Sequence, residues 1–307
     1  MARATRWLAA IGRHRAAGTR LALPRLALLP RCLLAAAAAL CIALPALAAT
    51  NGTNTAKPPS PYLRQAQDMA LKRDWPGLAQ ITEHWTQAEP SSAPAWTYYA
   101  VSQCHLGKPT NAERAMQREI MLAPNDPRPF EALAVCYNSL KQFDATVQAA
   151  EQAARIAPAN PVVAFNLGVA WKNRAETAAK PATGAAPDPK VLQSYWLGAA
   201  EAFAHAGELK IANAGQTWML AGGSGYRALF FPLAVRAYLA AIAHPPVAKG
   251  VRSGLAQSVS ALEQACARAK SFTVGDSHIL QRTWSCDGRT QTLLQQAKTE
   301  IKAAPKP

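Results

Sequence analysis

Before residue 57 the chain has no lysine, aspartate or glutamate, yet seven arginines fall within its first 31 positions: Arg3, Arg6, Arg13, Arg15, Arg20, Arg25 and Arg31. A start with charge of one sign only points to a targeting segment. Long apolar runs are missing as well. The longest, Cys32 to Leu47, falls short of the roughly 20 residues a spanning helix needs, so permanent anchoring is the weaker reading. No C-x-x-C, C-x-x-C-H or zinc-type cysteine spacing occurs, which leaves redox and metal chemistry without support. H-E-x-x-H, G-x-S-x-G and G-x-G-x-x-G are also absent, and with them the commonest hydrolase and dinucleotide signatures.

What is present at the start is a basic n-region, a short apolar h-region and the small-residue motif Ala46-Leu47-Ala48, the pattern of a secretory signal peptide over 1–48. Cleavage after Ala48 and export, most simply to a periplasm, is the expectation, with a flexible linker over 49–60. The alternatives are an uncleaved N-terminal anchor, a lipidated Cys41 behind a poor lipoprotein box, an organellar transit peptide, or a start codon further downstream. Removing the segment takes 7 of the 33 basic residues, so 26 remain against 18 acidic ones, a net charge of +8. No basic stripe interleaved with aromatics is seen, so nucleic acid is not expected as a partner. A mild positive field favours anionic surfaces, membrane headgroups or acidic proteins. Cys104, Cys136, Cys266 and Cys286 survive, an even number in an oxidising compartment. Cys266 and Cys286 flank two β-rich runs around a Gly-Asp-Ser turn, and a disulfide there would pin a hairpin to the preceding helix. Cys104 and Cys136 either pair or serve as buried apolar residues.

The strongest positive signal is a period of 34. Pro90, Pro124 and Pro158 recur at that spacing, as do Tyr62, Trp96 and Phe130, and as do Ala66, Ala100, Ala134 and Gly168. Within one period, Phe130, Leu133, Ala134 and Tyr137 mark one face of a first helix. Val147, Ala150, Ala153, Ala154 and Ile156 mark a second. Pro158 stops it, and Asp126-Pro127 and Asn160-Pro161 supply caps followed by proline at the first helical position. The small column is expected where neighbouring helices come closest.

This pattern resembles the tetratricopeptide repeat, a helix-turn-helix unit of 34 residues with a W-x2-L-G-x2-Y…A…F…P consensus. Phe130, Leu133, Ala134, Tyr137 and Pro158 match it, Trp96, Tyr99, Ala100 and Pro124 match less fully, and Leu167, Gly168 and Trp171 open a fourth unit. The resemblance implies an all-α, right-handed helical-hairpin superhelix of about four pairs over 61–210. A loop insertion interrupts it at 176–189, either tolerated or a binding element. Beyond it are expected C-terminal helices over 211–270, including one across Tyr226 to Ala243. A β-hairpin and a capping helix are expected over 271–307. Gly222 to Gly225 reads as an interhelix turn, or more weakly as an anion cradle at a helix start.

In such a superhelix the first helices line a concave groove that holds peptides. The resemblance places Arg64, Gln67, Thr97, Tyr98, His105, Arg128, Glu131, Asn138, Asn166, Lys172 and Asn173 on it. Amides there suit an extended backbone because each offers both a donor and an acceptor. Leu63 and Val162 stand where a carboxylate clamp would need polar groups. The expected role is a non-catalytic protein- or peptide-binding scaffold of the cell envelope, with no cofactor and no metal. Alternatives are a structural subunit of a secretion, pilus or outer-membrane assembly and, less favoured, an enzyme with an unrecognised site. For the last, the sequence offers only Glu201 with His205, four apart on a helix, and Cys104 beside His105, whose side chains diverge.

Overall fold

The computed structural model describes residues 60–180 and 187–303, where twelve helices and one two-stranded sheet are found. The expected signal peptide, all but the last residue of the linker, and positions 181–186 of the insertion lie outside the described residues. The helices come first as four pairs: α1 (Pro61–Lys72) with α2 (Trp75–Ala88), α3 (Ala93–His105) with α4 (Pro109–Leu122), α5 (Arg128–Ser139) with α6 (Phe143–Ile156), and α7 (Pro161–Ala178) with α8 (Pro189–Glu208). There follow α9 (Ala214–Arg227), α10 (Phe231–Ile242), α11 (Val251–Arg268), β1 (Ser271–Asp276), β2 (Leu280–Ser285) and α12 (Gly288–Ala303).

Local chemistry explains the boundaries. Proline occupies the first or second position of eight helices, where its missing N–H costs no hydrogen bond. Asn160 caps α7 as expected, its Oδ1 accepting from Val162 N at 2.9 Å and Val163 N at 3.4 Å. The third pair differs slightly: Pro127 is itself the cap of α5, and Asp126 Oδ1 accepts from Arg128 N at 3.0 Å. Within the first three pairs the turn is one left-handed residue, at Arg73, Gly107 and Lys141, again 34 apart. Each donates its N–H three residues back, and the residue after it donates five back.

Each helix packs on the next, and α1, α3, α5 and α7 also meet one another in succession. That is the stacking by which a helix-pair repeat buries its faces. The small column sits where the helices close: Ala66 and Ala100 are 0% exposed, Ala134 is buried, and a Cβ on Gly168 would come within 2.6 Å of the Phe203 ring. The fold class is therefore the expected one, an all-α stack of helix pairs with further helices and a small disulfide-linked hairpin.

Two readings beyond residue 210 need correction. Gly222 to Gly225 is no interhelix turn but part of α9, because a Cβ on Gly222 would lie 2.9 Å from the Tyr238 ring, so the missing side chain seats that aromatic. The helix expected over Tyr226 to Ala243 is broken at Leu229, which is left-handed (φ 59°) and makes the same turn bonds as the first three pairs. α9 and α10 thus form a fifth pair built on the same turn.

The hairpin pairs Ser271 with Ser285 through Asp276 with Leu280, antiparallel. Its tip comes slightly later than expected, with Gly275 inside β1 at a φ of 86° that side chains resist. Cys266 and Cys286 are bonded, tying α11 to the end of β2. The hairpin lies on α8: Asp276 N donates to Ser194 Oγ at 2.7 Å, Ser194 Oγ donates to Leu280 O at 2.8 Å, and Gly275 N donates to Gln193 Oε1 at 3.1 Å. Trp284 stacks on Phe272 and donates its Nε1–H to Leu229 O.

The core is uneven along the chain. One large cluster runs from α7 through α12, including Trp196, Phe203, Leu233, Leu262 and Trp284. The first three pairs have separate clusters of only five or six buried residues each. Cys104 and Cys136 lie in one of these and are bonded, joining α3 to α5.

Candidate binding groove

The first helices carry the candidate groove residues, and several are brought together in a repeating way. Asn166 Nδ2 on α7 donates to Glu131 Oε1 on α5 at 3.1 Å, and Asn173 Nδ2 donates to Asn138 Oδ1 at 2.8 Å. One period earlier, Ser139 Oγ on α5 lies 3.8 Å from Cys104 Sγ on α3, the counterpart of the Asn138/Asn173 contact. The side chains meet across 35 residues although the period is 34, because each helix touches its neighbour one position further along. On α3, burial pushes the Tyr98 phenol up, opposed by a hydrogen bond with Gln67 of α1. Side-chain hydrogen bonds therefore link α5 to α7, and a polar contact links α3 to α5.

The other candidates are placed more variously. Tyr98 is only 7% exposed and stacks on Trp85, so its ring belongs to the core of the first pair. His105 stacks on Trp75 with centroids 3.7 Å apart, and it is held below the ordinary imidazole value first by burial and then by the Arg73 charge. Arg128 is clamped by Asp126, whose two oxygens take its Nε–H at 2.9 and 2.8 Å and one of which also takes Nη2–H. Desolvation works against the Asp126 carboxylate, but these bonds hold it below its usual range. Burial raises the Glu131 pKa, and the Asn166 bond opposes that rise. Lys172 pairs with Glu176 at 2.9 Å. Thr97 faces inward and donates to Glu119 Oε1 at 2.6 Å. Arg64 is exposed and makes no ion pair among the described residues.

The two catalytic candidates are otherwise committed. Glu201 meets Arg282 of the hairpin, Oε1 with Nε at 2.8 Å and Oε2 accepting from Nη2 at 3.0 Å. His205 Nε2 lies 2.9 Å from Pro158 O. Cys104 has no thiol to offer, being bonded to Cys136. Among the described residues no three His, Cys, Asp or Glu side chains are grouped to hold a metal ion. None of their helices is long and apolar enough to cross a membrane.

One polar residue beside the groove went unread in the sequence. Glu119 on α4 is 1% exposed, and its place in the period is taken by Trp85 before it and Ala153 after it, both equally buried. An acid in a column that is otherwise apolar was the available signal.

No family model matches the sequence, and no curated protein matches it. Similar solved structures include one titled as the MamA protein, at 14% identity over 59% of this chain and 88% of that chain, with a TM-score of 0.43. Another is titled as the APC/C hetero-tetramer Cut9-Hcn1, at 15% identity over 77% of this chain and 42% of that chain, with a TM-score of 0.41. At such identities and scores no residue of this chain is matched to a site in either.

Proposed function

We propose that this chain is a non-catalytic scaffold that binds an extended segment of a partner protein along α1, α3, α5 and α7, acting in the cell envelope after export. The observation that carries this reading is the row of side-chain contacts linking successive first helices, above all Glu131 with Asn166 and Asn138 with Asn173. The face so linked presents the amides of Asn138, Asn166 and Asn173 beside the Glu131 carboxylate, and each amide retains a donor or acceptor for a peptide backbone. Export is supported by the signal-like start and by two bonded cysteine pairs, which persist in oxidising compartments. The subunit-of-an-assembly alternative shares these features. The hairpin, its second contact under that alternative, is held by α8 through Ser194, Gln193 and Glu201.

The test is affinity capture from envelope extracts with the mature protein and with a variant carrying Asn138→Ala and Asn166→Ala. A protein or peptide enriched by the wild type and lost by the variant is the expected result. Equal enrichment by both, or none by either, would remove the groove from consideration.

A further inference from the structure

Glu119 stands where the repeat elsewhere places Trp85 or Ala153. A carboxyl in such a place bears a desolvation cost that only its own bonds can offset. One oxygen is satisfied, Oε1 accepting from Thr97 of α3 at 2.6 Å, while Oε2 is buried without a partner. The elements packed against α4 are α3 and α5. α3 turns only the Thr97 hydroxyl toward Glu119; the charged groups that act on it are Asp126 of the α4–α5 loop and Arg128 at the start of α5. Arg128 is already clamped by Asp126, and the charge of Glu131 also acts on it. Three carboxyls thus share one guanidinium, a net charge of −2 with all of them ionised.

The position of this cluster gives it leverage. Thr97 lies near the start of α3 and Arg128 at the start of α5, whereas Cys104 and Cys136 lie near their ends and are bonded to each other. From Thr97 to Cys104 along the axis is about 10 Å, at 1.5 Å per residue. The disulfide fixes α3 to α5 near the end of α3, and the buried acid of α4 meets α3 near its start.

We propose that Glu119 is a proton-gated latch that holds α4 on α3 within the second helix pair. With its proton on, α4 closes onto α3 beside Thr97 and Arg128 stays with Asp126. With the proton gone, this end of the α3/α4 contact opens to water and Arg128 is contested by three carboxylates. Burial pushes the Glu119 carboxyl up to about 7, the Thr97 bond opposing; the Asp126 charge adds to the rise and Arg128 works against it. In an opened junction the group faces water and returns toward its ordinary 4.5. Closing therefore takes up a proton between those two values, so the closed form weakens as pH rises through that window and changes no further above it. With these two values the opening equilibrium grows about tenfold from pH 6 to pH 8. The latch needs no groove ligand, and it stands or falls independently of the scaffold reading.

Hydrogen exchange on the full chain, corrected for the intrinsic effect of pH, reads the opening directly over residues 115–131. Protection there is expected to fall about tenfold between pH 6 and pH 8 in the wild type. It should lose this dependence in Glu119→Gln, a neutral isostere that can still accept from Thr97, and keep it in Glu208→Gln, a change at an exposed acid of α8. Unchanged protection in the wild type, or a dependence that survives Glu119→Gln, overturns the proposal. Should that variant not fold, carbon-13 titration of the Glu119 carboxyl in the wild-type protein decides: a midpoint near 7 supports the latch, and one in the ordinary carboxylate range overturns it.

Discussion

Gly168 shows how one missing side chain shapes the fourth pair. A Cβ there would lie 2.6 to 2.9 Å from three ring carbons of Phe203, and Phe203 is itself 0% exposed with nowhere to move. Gly168→Ala gains about 1 kcal/mol of helix propensity but overpacks a rigid core at a cost of about 1–3 kcal/mol. The second effect wins, and a net loss of up to about 2 kcal/mol is expected in urea denaturation. Adding Phe203→Leu should recover part of it, since the smaller side chain leaves room for the methyl; strictly additive losses would contradict this account. Gly168 was legible in the sequence because alanine occupied its column three times. Glu119 was not. Its helix shows apolar spacing through Ala112, Ala115 and Met116, so an acid on the same face reads as surface until the column is followed from Trp85 to Ala153.

At the scale of elements, the hairpin depends on a single hydroxyl more than on its own strands. Ser194 is 0% exposed, accepts from Asp276 N and donates to Leu280 O, so it bridges the two strands at their turn end onto α8. Ser194→Ala would strand a backbone N–H, at a cost of about 1–3 kcal/mol. Thermal unfolding should show that loss, while Ser277→Ala at the exposed tip should stay within about 0.5 kcal/mol of wild type. The strands themselves were legible from their β-branched and aromatic residues between two cysteines. The fifth helix pair was not, for a definite reason. Its turn residue is Leu229, a side chain that seldom takes a positive φ, while the glycines nearby serve to seat Tyr238 and look like a break. The turns at Arg73 and Lys141 are equally unmarked by residue type; only the 34-residue spacing betrays them.

For the whole molecule, packing divides the chain at α7 and charge divides it near the end of α8. Between residues 60 and 204 there are 13 basic and 13 acidic side chains, and between 205 and 303 there are 11 and 5. The repeat pairs are therefore electroneutral, and attraction to an anionic surface would be exerted by α9 to α12 and the hairpin. Buried area divides one helix pair earlier, with one large cluster from α7 onward and three small ones before it. Stability in a stacked array is a sum of unit and neighbour terms, so the first pair, with its small core, should exchange its amides fastest. Hydrogen exchange is expected to rank α1 and α2 as least protected and α8 to α10 as most; uniform protection would show instead a single cooperative unit.

The bond between Cys104 and Cys136 bears on how the molecule would respond to being pulled. The two residues are 32 apart in sequence, and the enclosed stretch holds all of α4 and most of α5. Drawn from its ends, the chain can lengthen except across its two disulfides, of which this one withholds the more, about 110 Å of contour at 3.3–3.6 Å per residue. Gripped at both ends, the protein would extend through its first and later pairs while the second and third stayed joined. The stretch between α3 and α5 is the part that tension separates last.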